Sequence, residues 1–149
     1  MAGVGARVSA ETLRDVEEGV RVLYGRVIQP GRASGLALVT AEPISFLGQV
    51  DPETGRVVDP HHPLAGCDVT GRVLVFPTGK GSTVGSYVLY QLAKNRHAPA
   101  AIVNARCEAI VATGAIISGI PTIDGVDTSQ FVSGQKVSIE EGGRIVIDA

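Results

Sequence analysis

The chain has 149 residues and a formal net charge of −2 at pH 7, with 44% hydrophobic but only 4% aromatic residues. This length predicts a single domain with a real core, and the near-neutral charge argues against nucleic acid or an anionic membrane as a partner. Because the apolar residues are mainly Val, Ile, Ala and Leu, we expect a β-rich core and some apolar surface left for a partner chain.

Targeting and metal-binding signals are weak. No apolar stretch approaches the ~20 residues that a membrane-spanning helix requires, and the N-terminus lacks the apolar core of a signal peptide, so we expect a cytoplasmic location. Cys67 and Cys107 lie far apart and away from any histidine cluster, which predicts buried, reduced thiols. Two cysteines cannot hold an iron–sulfur cluster or a structural zinc alone, so any such metal would come from another chain.

The first part of the chain combines a charged segment with short β-patterns. We assign residues 1–19 to a charged N-terminal arm or short helix and residues 20–149 to the main domain. Three segments after the arm have the pattern of strands: 20–24, 34–41 and 44–47. The sequence Asp-Pro-Glu-Thr-Gly at 51–55 predicts a hairpin or a tight surface loop. The adjacent His61 and His62 would face opposite sides of a strand, so no metal site is expected there.

The second part of the chain alternates strands and helices. A helix is predicted at 84–96, because Val84, Val88 and Leu92 fall on one apolar face. The remaining elements are strands at 72–76, 100–103, 135–140 and 144–148, a helix at 106–112 that ends near Gly114, and a strand within 116–125. This order predicts an α/β layered domain with a large β half, and it differs from a doubly wound dinucleotide-binding fold.

The segment 76–86, Phe-Pro-Thr-Gly-Lys-Gly-Ser-Thr-Val-Gly-Ser, is the candidate functional site. It links a predicted strand to a helix N-terminus, where free backbone N–H groups can bind an anion or a reacting oxygen. Ser82 stands near the predicted N-cap, and spacing alone leaves open whether it only caps the helix or acts in function. The surrounding glycines favour function, because a surface for close approach needs residues without bulk.

Three known motifs fail at this turn. A Walker loop requires Ser or Thr after the Gly-Lys pair, but Gly81 follows Lys80 here. In the dinucleotide fingerprint the third glycine position is occupied by Val84. A Gly-x-Ser-x-Gly nucleophile elbow is absent around Ser82. The turn therefore indicates a hydroxyl beside backbone donors, without one of these three chemistries.

Five short motifs together resemble the small subunit of the aconitase X group. They are Ser-Gly-Leu-Ala-Leu at 34–38, Ser-Phe-Leu-Gly at 45–48, Asp-Pro-Glu-Thr-Gly at 51–55, His-Pro-Leu-Ala-Gly at 62–66 and Gly-Ser-Thr-Val-Gly-Ser at 81–86. Each motif is weak alone, but the combination is specific and covers roughly residues 20–124. The resemblance implies a swivelling β/β/α domain, similar to the mobile domain of aconitases, that closes over a large subunit.

The same resemblance implies a two-chain hydro-lyase, assembled as a heterodimer or a higher complex. In that family the large subunit holds an iron–sulfur cluster, while the serine at the position of Ser82 acts as the base. The resemblance implies an archaeal enzyme of isoprenoid biosynthesis that dehydrates (R)-5-phosphomevalonate to trans-anhydromevalonate 5-phosphate. Other relatives dehydrate cis-3-hydroxyproline, so the sequence leaves these two small anionic substrates open.

Further residues are candidates for binding the substrate: Gly81, Thr83, Ser86, Lys80 and Ser45. Lys80 fits a phosphate or a carboxylate, although a solvated loop lysine has the same sequence signature. Ser86 fits either a substrate contact or a local cap. Arg106, at the start of the second predicted helix, leaves two alternatives open: an anion contact or a surface pair with Glu108.

Two other classes of protein compete with the hydro-lyase. A phosphohistidine-like swivelling domain, which carries phosphoryl groups, has similar segments to Ala-Ile-Val-Asn-Ala-Arg at 101–106 and Gly-Ile-Pro at 119–121. Such a carrier needs a histidine directly after the small-residue turn, and the nearest histidine here is His97, at the far end of the predicted helix. The remaining alternative is a non-catalytic subunit that binds an anion.

Overall fold

The computed structural model describes residues 19–148, so the predicted arm lies outside the described residues except for Gly19. Within this range the elements, in chain order, are β1 Val20–Tyr24, β2 Arg26–Gln29, β3 Ala33–Val39, α1 Phe46–Gln49, β4 Val73–Phe76, α2 Gly85–Lys94, β5 Ala101–Asn104, α3 Ala109–Ser118, β6 Thr122–Asp124, β7 Lys136–Ile139 and β8 Arg144–Asp148. No helix in the described part of the chain has both the length and the apolar character needed to cross a bilayer.

One eight-stranded sheet, with the order β1-β8-β7-β3-β4-β5-β6-β2, runs through the described residues. Strands β3 to β6 are parallel to one another along this order, whereas β1, β8, β7 and β2 pair antiparallel with their neighbours. The single residue Gly25 joins β1 and β2, which are the two outermost strands. Since one residue spans only about 3.8 Å between Cα atoms, the two edges must meet. The sheet therefore folds back on itself.

Strand β3 belongs to both halves of this folded sheet. Its residues 33–36 pair with β7, and its residues 37–39 pair with β4. Where the two outermost strands β1 and β2 meet, Gly25 donates its N–H to the carbonyl of Gly143 at 2.9 Å. A Cβ at position 25 would overlap the side chain of Ile123. The absence of a side chain at position 25 thus allows the two sheet edges to approach.

The core consists of two layers separated by the parallel strands. Side chains alternate between the two faces of a strand, and all residues of Val73–Phe76 and Ala101–Asn104 are buried. One face packs with the helices, through Leu74, Phe76, Ile102, Val88, Leu89, Leu92 and Val111. The other face packs with the second half of the sheet, through Val73, Val75, Ala101, Val103, Val137, Ile145 and Ile147. This β/β/α arrangement confirms the predicted fold class.

The prediction of a strand at 44–47 is wrong for most of its length. Only Ile44 forms a β-bridge, to Gly79, and the following residues form the short turn α1, in which Leu47 and Gly48 have non-helical torsions. The Ser45 N–H donates to the side-chain oxygen of Gln49 at 2.8 Å, which closes this turn. Strand β2 was not expected, because its sequence Arg-Val-Ile-Gln shows no clear alternation.

The second long helix extends further than predicted. Helix α3 runs to Ser118, so Ile116 and Ile117 are helical and exposed, where a strand was expected. The helix ends instead at Gly119, which has a left-handed φ of +70°, whereas Gly114 lies in close contact with α2. A Cβ at Gly114 would lie 2.7 Å from Leu89 Cδ1. The sequence pattern thus predicts a helix end at a glycine that instead permits close packing of α3 against α2.

Two smaller expectations are resolved by the loops. The 51–55 segment forms a tight turn, in which the Gly55 N–H donates to the Asp51 carbonyl at 2.8 Å. His62 is buried and structural, because its Nε2 lies 3.1 Å from the Pro43 carbonyl oxygen and its Nδ1 accepts from the Leu64 N–H.

Helix α2 is shorter than predicted, and Val84 lies before it with half of its surface exposed.

Candidate functional site

Two loops leave neighbouring parallel strands at the same edge of the sheet. The loop from β4 to α2 and the loop from β5 to α3 follow Phe76 and Asn104, which are paired in register. The carbonyl of Pro77 accepts hydrogen bonds from the N–H groups of Ala105, at 3.1 Å, and Arg106, at 3.0 Å. Ligands of α/β sheets commonly bind outside the carboxyl ends of the strands. The two loops therefore lie where a ligand-binding site is expected.

An open groove, called here the two-turn groove, lies between the two loops. Its lining residues are Pro77, Thr78, Gly79, Lys80, Gly81, Ala105, Arg106, Glu108 and Ile110. A more enclosed, mainly apolar pocket lies elsewhere on the molecule and includes Val27 and Ile139. That pocket contains no residue of either loop. Of the predicted site residues, Lys80 and Gly81 line the two-turn groove, and Ser82 directly follows them in the chain.

Ser82 lies before α2, and its hydroxyl and carbonyl oxygens accept hydrogen bonds at the start of that helix. Helix α2 begins at Gly85, and its N-cap residue Val84 has no side-chain cap. The Ser82 carbonyl accepts from the Gly85 N–H at 2.9 Å, while the Ser82 Oγ accepts from the Val84 N–H at 3.2 Å. Ser82 is exposed. Its hydroxyl is consequently held by one backbone donor and remains accessible to a ligand.

Several backbone donors of this loop have no acceptor within the protein. Among the described residues, none accepts a hydrogen bond from the N–H groups of Gly81, Ser82 or Thr83. Gly81 has a φ of +92°, a conformation that breaks the regular direction of the chain at this point. Unpaired N–H groups before a helix bind anions and stabilise negative oxygen atoms. The loop has the donors that the sequence predicted.

A short parallel bridge brings Ser45 next to the loop between β4 and α2. The Ile44 N–H donates to the Thr78 carbonyl at 3.2 Å, and the Lys80 N–H donates to the Ile44 carbonyl at 3.0 Å. The Ser45 hydroxyl donates to the Leu47 carbonyl at 2.9 Å and lies against the Cα of Gly81. The structure thus brings together Ser45 and Gly81, which are far apart in the sequence.

The other predicted binding residues differ in their surroundings. The Ser86 hydroxyl donates to the Thr83 carbonyl at 2.9 Å, so it forms a local bond at the start of α2. Thr83 and Ser86 also line a small pocket against Ile110 of α3. Lys80 is exposed on the wall of the two-turn groove. Within residues 19–148, no carboxylate lies at salt-bridge distance from its amine.

Glu108 has a role that the sequence did not indicate. Its carboxylate caps α3 by accepting from the N–H groups of Ile110, at 3.0 Å, and Val111, at 2.9 Å. It also packs against Gly79 on the opposite loop, where a Cβ would overlap it. The alternative surface pair between Arg106 and Glu108 is not formed. Arg106 is exposed and lines the groove without a carboxylate partner among the described residues.

A buried carboxylate supports the second loop from beneath. The Asp124 side chain is 3% exposed and accepts two hydrogen bonds from the Arg26 guanidinium, at 2.9 and 2.8 Å. It also accepts from the Cys107 N–H at 2.8 Å. These donors, above all Arg26, lower the pKa of Asp124. Its position as the last residue of the buried strand β6 was the only sequence signal for this role.

The cysteines do not provide a reactive centre. Both Cys67 and Cys107 are free thiols. Burial, together with the nearby carboxylates of Asp124 and Glu108, raises the pKa of Cys107 to about 12. The thiol of Cys107 therefore stays protonated near neutral pH.

The described residues do not fit an iron–sulfur cluster or another bound metal. No group of three or more His, Cys, Asp or Glu side chains comes together within residues 19–148 to hold one. Cys67 and Cys107 therefore remain too few as ligands.

Comparison with known proteins gives consistent matches over nearly the whole described region. A family model described as the aconitase X swivel domain matches residues 22–147. The phosphomevalonate dehydratase small subunit of Thermococcus kodakarensis is 53% identical over 126 residues, which cover 84% of this chain and 95% of that protein. The protein of the same name from Methanosarcina acetivorans is 59% identical over 111 residues, covering 74% and 77%. The crystal structure of Thermococcus kodakaraensis aconitase X in its holo form matches with a TM-score of 0.84 and 52% identity, covering 86% and 98%.

Proposed function

The chain belongs to the aconitase X swivel domain family, and on that premise we propose that it is the small subunit of a two-chain hydro-lyase that dehydrates (R)-5-phosphomevalonate to trans-anhydromevalonate 5-phosphate. The observation that carries this proposal is the 53% identity, over 84% of the chain, to a protein named phosphomevalonate dehydratase small subunit. The partner is a large subunit, in a heterodimer or a higher complex, and the reaction serves isoprenoid biosynthesis in the cytoplasm.

Ser82 is the proposed base. The reaction removes a proton from the carbon next to the substrate carboxylate, and a free serine hydroxyl is too weak for this step. A donor that bonds to the charged form of a group favours that form, and the Val84 N–H already donates to Ser82 Oγ. The unpaired N–H groups of Gly81, Ser82 and Thr83 add positive potential at this loop. Ser82 Oγ, as its alkoxide, thus takes up the proton, while the electron pair of the broken C–H bond forms the new double bond and the hydroxyl group leaves the neighbouring carbon.

The iron–sulfur cluster belongs to the large subunit in this proposal, because the described residues of the small subunit do not supply its ligands. We therefore assign to this chain only the proton transfer and the binding of substrate groups. Gly81 and Thr83 contribute backbone donors, and Lys80 contributes a charge at the groove. Ser45 holds the backbone near Gly81 in position, and Ser86 fixes the start of α2 through the Thr83 carbonyl.

The phosphoryl-carrier alternative has no support at the turn. Such a carrier needs a histidine immediately after the small residues, and Thr83 and Val84 stand at that place. His97 follows the other end of α2, and its Nδ1 lies 3.1 Å from the hydroxyl oxygen of Thr70. The turn therefore lacks the nucleophile that a phosphoryl carrier requires.

The proposal is tested by coexpressing the chain with its large subunit, purifying the complex without oxygen and assaying 5-phosphomevalonate for loss of water by mass spectrometry. We expect turnover by the wild type and a loss of about 10²- to 10⁴-fold in kcat for Ser82→Ala, with complex assembly unchanged. Ser129→Ala is the matched control, because its hydroxyl bonds only to Asp127 in an exposed turn outside the groove. Retained activity of Ser82→Ala would refute the role of the base. A complex that dehydrates cis-3-hydroxyproline instead would refute the substrate.

A further inference from the structure

We propose that Arg106, together with Lys80 on the opposite loop, binds the phosphate group of the substrate. This inference rests on the proposed function, which requires a phosphorylated hydroxy acid. It assigns to the second loop a part in recognition, in addition to the serine-bearing loop. Three features of the two-turn groove lead to it: its charge, the rigidity of the Arg106 backbone and the position of the groove relative to Ser82.

The charge of the groove is suited to a dianion. Lys80 and Arg106 lie on different loops, are exposed and have no carboxylate partner within residues 19–148. Glu108, the one acidic residue in the lining, is bonded to two N–H groups of α3. A phosphate monoester carries a charge of about −1.5 to −2 at pH 7, so it benefits from two cations more than a carboxylate does. The planar guanidinium of arginine forms paired hydrogen bonds with phosphate oxygens.

The backbone of Arg106 is fixed from both sides. Its own N–H donates to the Pro77 carbonyl at 3.0 Å, and the next N–H, that of Cys107, donates to the buried Asp124 carboxylate at 2.8 Å. Asp124 is in turn held by both hydrogen bonds from Arg26. A side chain that starts from a fixed backbone loses less conformational freedom when it binds a ligand. Arg26 and Asp124 are accordingly positioning residues for Arg106.

The groove and Ser82 can hold the two ends of one substrate molecule. In 5-phosphomevalonate the phosphate is at one end of the carbon chain, while the proton that is removed lies beside the carboxylate at the other end. Lys80 and Gly81 line the groove and directly precede Ser82 in the same loop. A phosphate held by Arg106 and Lys80 would therefore leave the carboxylate end near Ser82 and the unpaired N–H groups of its loop.

The test uses the two-subunit complex and compares Arg106→Gln, Arg106→Lys and a matched control, Arg96→Gln. Arg96 is exposed beyond the C-terminal end of α2, outside the groove, and the control removes the same charge. For Arg106→Gln we expect kcat/KM for 5-phosphomevalonate to fall about 10- to 100-fold, mainly through KM, as one charged hydrogen-bond partner is lost. Inhibition by inorganic phosphate should weaken by a similar factor. Arg106→Lys should recover part of both effects, and Arg96→Gln should change neither.

Mevalonate, which lacks the phosphate, separates the two anionic groups of the substrate. If Arg106→Gln weakens inhibition by mevalonate as much as inhibition by phosphate, Arg106 binds the carboxylate and the inference is wrong. Unchanged KM and unchanged phosphate inhibition in Arg106→Gln would also overturn it, while an active wild-type complex would leave the proposed function intact. An assembled wild-type complex without activity on 5-phosphomevalonate would instead refute the proposed function, and this inference with it.

Discussion

The hydroxyl of Ser45 lies so close to the Cα of Gly81 that any Cβ at position 81 would overlap it. The contact follows from the bridge between Ile44 and Gly79, which aligns the two segments in parallel. Gly81 also has a φ of +92°, which L-residues with a Cβ rarely adopt. Position 81 is thus restricted both by its backbone conformation and by its neighbour, one residue before the proposed base.

Gly81→Ala should displace the serine loop. We expect a loss of about 10-fold or more in activity of the complex, because a small misplacement of reacting groups has a large effect on rate. Gly48→Ala is the matched control, since Gly48 has a similar φ of +95° but no atom within 4 Å of a Cβ. Both variants should lose about 1 kcal/mol of stability from the backbone alone.

A second substitution checks the cause of this loss. Ser45→Gly removes the atoms that a Cβ at position 81 would meet. The double variant Gly81→Ala, Ser45→Gly should therefore recover activity relative to Gly81→Ala. Equal activity of the single and double variants, measured as kcat/KM of the assembled complex, would show that the contact with Ser45 is not the cause.

Removal of the Glu108 cap should destabilise α3. Glu108→Ala leaves the N–H groups of Ile110 and Val111 without their acceptors, and we expect a decrease of about 1 kcal/mol in the free energy of unfolding in urea. Glu108→Gln keeps one acceptor oxygen and should lose less. Glu141→Ala, which alters an exposed carboxylate with only a 3.9 Å contact to Arg32, should change stability by less than about 0.5 kcal/mol. Equal stability of all three variants would contradict the cap.

The sequence predicted the serine loop better than the loop opposite it. Glycines and hydroxyl residues between a strand and a helix are a local pattern, and Ser82, Gly81 and Thr83 lie together because they are neighbours in the chain. Ser45 was identified through its motif, but its contact with Gly81 depends on a bridge between distant segments. The support of the Arg106 loop by Asp124 depends on the pairing of β5 with β6, and the bonds from Arg26 to Asp124 depend on the pairing of β2 with β6. No local spacing encodes these pairings, so this half of the site required the structure.

Errors in the predicted elements have the same physical origin. Gly114 has the sequence signature of a helix end, but tertiary packing against Leu89 decides its role. The apolar residues around Phe46 are buried by the helix layer, and this burial occurs in a turn and not in a strand. Local pattern therefore predicted the layers and the order of the core elements, while contacts between elements determined where the elements end.

Stability should decrease in acid partly because of Asp124. Its pKa is lowered in the folded state by the hydrogen bonds from Arg26 and, to a smaller extent, from the Cys107 N–H. The resulting stability is fully present above the unfolded pKa of about 3.9 and is lost as the pH falls through the folded pKa. Asp124→Asn should thus flatten the pH dependence of the unfolding free energy between about pH 5 and the acid limit.

Arg26→Gln is the companion variant for this measurement. Arg26→Gln removes the hydrogen bonds from Arg26, which are the largest cause of the lowered pKa of Asp124, and leaves the bond from the Cys107 N–H. It should therefore flatten the pH dependence of the unfolding free energy less than Asp124→Asn does. The curve is measured by urea unfolding at a series of pH values. A wild-type slope in Asp124→Asn would show that other carboxylates whose pKa is also lowered, such as Asp68 and Asp127, account for the acid sensitivity.

Cys107 should resist alkylation. Burial and the adjacent carboxylates raise the pKa of Cys107 to about 12, and only the thiolate form is nucleophilic. At pH 8 less than about 1 in 1,000 of these thiols would be ionised, from the difference between this pKa and the pH. Labelling of the folded chain with iodoacetamide, followed by peptide mass spectrometry, should therefore be far slower at Cys107 than in the urea-unfolded chain. Equal rates would contradict the partly buried, protonated thiol.

The end of α2 offers a stabilising substitution. Arg96 has a φ of +63°, while its N–H donates to Ala93 and the following N–H, of His97, donates to Leu92. These bonds define a helix C-terminus that normally has glycine at this position. Arg96→Gly should raise the unfolding free energy by up to about 1 kcal/mol, because glycine adopts the left-handed conformation without steric cost. Arg96→Ala removes the same side chain but keeps a Cβ, so it should not stabilise the protein. A matching gain in both variants would show that the charge, and not the backbone conformation, limits stability at this helix end.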